Sequence, residues 1–196
     1  GLRVTDEKVI SIVEDVFIKF NKEIVYALKN HSSDAKGIHS KENNIINVKK
    51  VSKELGFVGV PNEININILK KIIESNKIPV IAPLGLSLDN HVYNINADTA
   101  AGAIAKKLKA RRLLIVSDVR GVLDKDKNLI TEINSSKANQ MITNNIISEG
   151  MIPKINNCID VASNGVKGVV IIDGRKNHSI LFELLSEKGS GTLIRQ

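Results

Sequence analysis

The chain has 196 residues, a formal net charge of +7, 42% hydrophobic residues and one cysteine, enough length to bury roughly 70% of its unfolded surface without disulfide staples. Cys158 alone excludes an internal disulfide framework and suits a reducing, cytoplasmic compartment, while no apolar run reaches a membrane span and no signal-peptide pattern is present. The basic residues are mostly scattered lysines and aromatics are only 3% of the chain, too few for base-stacking platforms, so neither membrane nor nucleic acid is an expected partner.

Thr5 is the suggested N-cap of a helical region from Asp6 to about His31. Val9, Ile12, Val13, Val16, Phe17 and Phe20 form its apolar face, with a bend near Asn21. Strand-like runs follow at "AKGIH", "NIINVKKV" and "GFVGV". "INILKKIIESN" reads as an amphipathic helix with Ile66, Ile68, Leu69, Ile72 and Ile73 inward. "IPVIAPLG" (78–85) reads as one buried strand and "SLDNHVYNI" as a small hairpin. An Ala-rich helix then ends in the basic cluster "KKLKARR", where cations meet the helix dipole favourably. "RLLIVSD" is a second buried strand, and "GVLDKDKNLITEI" an excursion with a turn at Asp124 to Asn128. Helices at about 136–145 and 151–163 lead to a third buried strand, "GVVIID". A last helix, "HSILFELLSEKG", and an edge strand in "GTLIR" complete the chain. Strands alternating with helices imply an α/β protein with a mainly parallel sheet.

In such sheets ligands sit beyond the carboxyl ends of the strands. That rule selects "LGLS", "SDVRG" and "DGRKN", the polar residues after each buried run. Common nucleotide motifs are absent: there is no G-x-x-x-x-G-K-[ST] and no G-x-G-x-x-G opening a helix. The four histidines and one cysteine have no metal-ligand spacing, and no metal site is expected. What remains near strand ends is a set of acidic, amide and basic groups: Arg3, Asn94, Asp98, Asp118 and Lys154. Asn94, Asn96 and Asp98 alternate just ahead of the Ala-rich helix, although one polar residue suffices for a cap. Lys154 sits where Gly150 breaks the preceding helix and Pro153 suits a first turn, adding its charge to N–H groups aimed at an anion. Phosphoryl transfer needs that kind of positive charge and positioning, and little covalent help. A solvated lysine, a dipole-favoured aspartate and a turn asparagine are the plain structural readings of the same residues.

"GLRVT", "NKEIVYAL", "LGFVG", "IPVIAPLG", "YNINADTAAGAIAKKL", "SDVRGVLD", "GMIPK" and "IIDGR" occur in this order across the chain. Together they resemble the N-acetylglutamate kinases of the amino acid kinase family. The resemblance implies a three-layer α/β/α sandwich, with about 1–93 belonging to a substrate-binding lobe and about 94–196 to a nucleotide-binding lobe. It also implies ATP with Mg²⁺ held mainly by the nucleotide, and phosphorylation of the N-acetyl-L-glutamate side-chain carboxylate in arginine biosynthesis. On it, Arg3 and Asn94 match groups that hold the substrate's other carboxylate, Lys154 the lysine that neutralises transition-state charge, and Asp98 the carboxylate that orients catalytic lysines. Asp118, Val119, Gly121, Val122, Leu123, Ser148, Gly150 and Met151 match nucleotide-binding positions, and Asn96 is left as structural. The tail resembles that of arginine-inhibited members, which makes His178, Glu187, Gly189 and Gly191 candidate contacts for L-arginine. Homo-oligomers are the family's usual state.

The sequence departs from the family in having no K-x-G-G loop and no second Gly-rich loop, which normally precede "GLRVT". The expectation is an N-terminally truncated domain that lacks a second catalytic lysine and is inactive alone, with sheet edges left open. "GIHSKENN" is less Gly-rich than in relatives and reads as loop variation. Other readings stay open: another family member such as a carbamate or aspartate kinase, or a regulatory or interaction module that keeps the fold without the chemistry.

Overall fold

Asp6, and not Thr5, caps the first helix of the computed structural model, which describes residues 3–147, 150–187 and 189–196. Its carboxylate accepts the Val9 N–H at 2.8 Å, satisfying one orphan donor of the first turn. Thr5 is buried instead: its N–H donates to the Leu55 carbonyl and its own carbonyl accepts from the Phe57 N–H. Helix α1 (Glu7–Asn30) runs through Asn21 with no interruption. The buried Asn21 amide donates to the Val80 carbonyl at 2.8 Å, so the residue that reads as a bend is an anchor. The apolar positions of α1 form two stripes rather than one. Ile10, Val13 and Phe17 turn inward, whereas Ile12, Val16 and Phe20 are 63%, 58% and 57% exposed.

Two units divide the chain, Gly1–Ala103 and Ile104–Gln196. The first continues with β1 (Ala35–Ile38), β2 (Ile46–Lys50), β3 (Gly59–Ile64), α2 (Ile66–Glu74), β4 (Ile78–Ile81), β5 (Leu84–Leu86) and β6 (Val92–Asn94). β1 pairs in parallel with β4, and a second sheet has the order β3-β2-β5-β6. Pro61 lies in β3 at the edge of that sheet, beside a register shift at Asn47/Val48. Proline lacks a ladder donor and is tolerated at edges and bulges, so the strand continues to Ile64, past the Val60 end suggested by the sequence. The 78–85 run is two strands in two sheets, and β4 is only half-buried, with Ile78 44% exposed. Pro83 breaks it, with the Leu84 N–H donating back to the Ala82 carbonyl. In α2, Leu69 is buried but Ile73 faces solvent at 45% exposure. The hairpin closes as read, with β5 antiparallel to β6.

Helix α3 (Ala97–Leu108) spans the division between the units. The second unit holds β7 (Leu113–Ser117), β8 (Glu132–Asn134), α4 (Ser135–Thr143), α5 (Ile152–Ser163), β9 (Val169–Asp173), α6 (Ser179–Leu185) and β10 (Thr192–Arg195). Its sheet runs β7-β9-β10-β8, so the tail strand is interior and not at an edge; Ile194 is fully buried. β9 is buried at all five positions, whereas β7 buries only Ile115 and leaves Val116 51% exposed. Ile155, Cys158 and Val161 of α5 pack with Ile133, Ile171 and Ile194 in its core. Four of the seven described strand pairings are parallel. This is the α/β class read from the alternation.

Candidate active site

β7 and β9 are parallel with Ser117 opposite Asp173, so the segments that follow them leave the sheet at the same carboxyl end. A cavity of about 740 Å³ opens there, walled by the 118–125 loop with Lys127, the 144–147 turn, Met151 and Arg175. That volume suits a nucleotide-sized ligand.

The 118–125 loop is held by a buried hydroxyl. Val122 donates its N–H to Thr192 Oγ1 at 2.8 Å, and the same hydroxyl donates to the Ile130 carbonyl at 2.6 Å. Gly121 has a φ of +131°, and a Cβ there would stand 2.6 Å from Thr192 Oγ1; only glycine takes that conformation without strain. Asp124 closes the turn, its Oδ1 accepting the N–H groups of Asp126 and Asn128 at 2.9 and 2.8 Å.

The facing wall begins where α4 ends. Asn144 and Asn145 (φ 53°) stop that helix, with the Asn145 N–H returning to the Ile142 carbonyl. Asparagine adopts this left-handed conformation more readily than most residues. Gly150 therefore does not break the helix; it lies exposed just before Met151. Pro153 occupies the first turn of α5 and Lys154 follows it, half-buried.

Asp118, Val119, Gly121, Val122, Leu123 and Met151 thus come together as the sequence suggests. Gly150 does not line the cavity, and Ser148 lies outside the described residues. The cavity wall also holds Arg120 and Arg175, which lie in the selected "SDVRG" and "DGRKN" segments without having been singled out, and Lys125 and Lys127, which lie outside them. Arg175 was within reach, since "DGRKN" follows a buried strand. Asp173 holds it: Oδ1 accepts the Arg175 N–H and Nε–H at 3.0 and 2.9 Å, and Oδ2 accepts from Nη2 at 2.9 Å. Those bonds from Arg175 pull the Asp173 carboxyl down to about 2.

In the first unit, Phe57 donates its N–H to the Thr5 carbonyl and accepts the Asn94 N–H. The segment carrying Arg3 and the strand carrying Asn94 therefore flank one backbone. Asn96 is the cap of α3, its Oδ1 accepting the Thr99 N–H at 3.1 Å, which answers the alternating triplet: one residue caps and two do not. Asp98 lies half-buried in the first turn of α3.

A second cavity of about 420 Å³ is lined by Glu187, Gly189 and Gly191 with Arg112, Glu183 and Arg195 among others. The buried Glu183 carboxylate accepts the Ser190 N–H at 2.8 Å and stands 3.6 Å from Arg112. His178, at φ 60° before α6, is not in this lining. Among the described residues no group of three His, Cys, Asp or Glu side chains could hold a metal ion, and no helix is long and apolar enough to cross a membrane.

The amino acid kinase family model matches residues 2–173. An acetylglutamate kinase of Pelagibacter ubique is 68% identical over the whole chain, which spans 68% of that protein. Among solved structures, smu.665 from Streptococcus mutans superposes with a TM-score of 0.84 at 28% identity, over 100% of this chain and 75% of that one. N-acetylglutamate synthase from Neisseria gonorrhoeae, in complex with coenzyme A and N-acetyl-glutamate, superposes at 0.92; at 22% identity it shares the fold, over 100% of this chain and 46% of its own. The chain belongs to the amino acid kinase family and, within it, to the acetylglutamate kinases.

Proposed function

We propose that the chain carries the nucleotide site and part of the substrate site of an enzyme that transfers the γ-phosphoryl group of ATP to the side-chain carboxylate of N-acetyl-L-glutamate, in arginine biosynthesis. The observation that carries this is the 740 Å³ cavity at the carboxyl ends of β7 and β9, walled by the segments that the family resemblance assigns to nucleotide. A carboxylate oxygen attacks the γ-phosphorus, the bond to the β,γ-bridging oxygen breaks, and ADP leaves with that electron pair. No proton moves, so no general base is needed. Catalysis then rests on positioning and on cations. Lys154, at the start of α5, supplies one where backbone N–H groups also point. Asp98 has the role of the lysine-orienting carboxylate. Arg3 and Asn94 hold the substrate's other carboxylate, a guanidinium gripping it bidentately. Mg²⁺ arrives on ATP as part of that substrate.

The chain's other partners in this reading are further copies of itself and L-arginine as an inhibitor. The N. gonorrhoeae synthase has also been solved with L-arginine, and the second cavity offers the exposed Glu187 to a guanidinium, Glu183 being held by Arg112 and Ser190. Without the two Gly-rich loops, the 196 residues by themselves do not turn over, since each lost donor around a transferring phosphoryl costs about 10²–10³ in rate.

The test is a chimera that adds the P. ubique relative's own flanking residues to this chain, assayed by trapping the acyl phosphate with hydroxylamine. Hydroxamate formed from N-acetyl-L-glutamate and ATP, and not from aspartate or with carbamate as acceptor, is the expected result. A correctly folded chimera with no such product overturns the proposal.

A further inference from the structure

We infer that Arg175 is a phosphate-binding residue of the nucleotide cavity and that Asp173 is the residue that positions it. The inference rests on the nucleotide reading of that cavity and adds a contact which the motif comparison does not assign. Asp173 is 6% exposed, and both its oxygens are spent on Arg175. A buried carboxylate committed to one partner two residues away fixes the guanidinium along a single edge. Nε and one N–H of Nη2 are used, while Nη1 and the outer N–H of Nη2 keep their donors. The Arg175 side chain is 65% exposed and lines the cavity. A purely structural arginine would have its donors consumed by the fold. Here the inner edge is consumed and the outer edge is presented.

The loop carrying it is itself pinned. Gly174 donates its N–H to the Ser117 carbonyl at 2.7 Å, and a Cβ at Gly174 would stand 2.7 Å from Val116 Cγ1. Arg175 is thereby drawn to the end of β7, where the negative charge of Asp118 also acts on it. The cavity wall carries Arg120, Lys125, Lys127 and Arg175 against Asp118 and Asp124, an excess of cations that suits a polyphosphate more than a neutral ribose or base. A preformed guanidinium loses little further freedom on binding, and planar forks match phosphate oxygens well.

The test titrates ATP, ADP and adenosine into the 196-residue chain and into Arg175→Ala, Arg175→Lys and Asp173→Asn, each checked for an unchanged melting temperature. Arg175→Ala is expected to weaken ATP and ADP by about tenfold to a hundredfold and to leave adenosine unchanged. Arg175→Lys should recover part of the loss, and Asp173→Asn should lose less than Arg175→Ala. Equal ATP affinity in wild type and Arg175→Ala overturns the assignment while the nucleotide reading stands. An equal loss for adenosine also overturns it, because the contact would then be to sugar or base. A wild-type chain that binds neither ATP nor adenosine removes the nucleotide reading, and this inference with it.

Discussion

Replacing Thr192 by valine removes one oxygen and leaves the side-chain shape intact. That oxygen serves two backbone groups, accepting from the buried Val122 N–H and donating to the half-buried Ile130 carbonyl. Thr192 has no exposed surface and Val122 is 3% exposed, so water cannot replace it. A stranded group costs about 1–3 kcal/mol; with the half-buried Ile130 carbonyl at the low end, Thr192→Val lies about 2–4 kcal/mol below wild type. Thr192→Ser keeps the hydroxyl and gives up one methyl, about 1 kcal/mol. Urea unfolding followed by far-UV circular dichroism reads this directly. With a slope of about 2 kcal/mol per molar urea, the midpoint should fall by about 1–2 M for valine and by less than about 0.5 M for serine. A valine variant within about 0.25 M of wild type, or a serine variant as weak as valine, would refute the idea that this hydroxyl secures the 118–125 loop.

Asn96→Ala should cost about 1 kcal/mol by uncapping α3, seen as a lower urea midpoint. His39 is buried with Nδ1 lacking a partner among the described residues, and burial lowers its pKa below 6.5. Its contribution to stability is therefore full above pH 6.5 and is lost as pH falls toward the folded value, because the unfolded chain takes up the proton first. The urea midpoint should drop between pH 7.5 and 5.5, and His39→Gln should flatten that drop. In the chimera, Lys154→Ala should lower hydroxamate formation at least a hundredfold while the melting temperature stays put.

Local pattern carried much of the fold and little of the pairing. The four apolar residues of β9, Val169 to Ile172, read as a buried strand and are one. β10 is more polar, Thr-Leu-Ile-Arg, and reads as an edge; its interior place depends on β8 and β9 flanking it, which no local window contains. In α1 the hydrophobic positions are dense enough to make two stripes, so periodicity alone could not choose which faces inward. A polar residue at Asn21 reads as a break, whereas burial against the Val80 carbonyl makes it an anchor. The 118–125 loop was legible because it follows a strand and carries its own punctuation, Gly121 and the Asp124 turn; the facing turn follows α4, and the Asn144 and Asn145 that end that helix were not read as its stop. The strand-end rule also reached "DGRKN", but not the pairing within it, because "DGR" does not say that the aspartate turns inward and takes the arginine with it. Gly150 shows the opposite error, a helix breaker by composition placed after a helix that has already ended.

The cavity beyond β7 and β9 is the proposed nucleotide site. Photolabelling the 196-residue chain with 8-azido-ATP, followed by peptide mapping, tests it most directly. Label is expected in the peptides spanning 118–127 and 144–151, and ADP should suppress it. Label confined to other peptides, or label that ADP does not suppress, would contradict it.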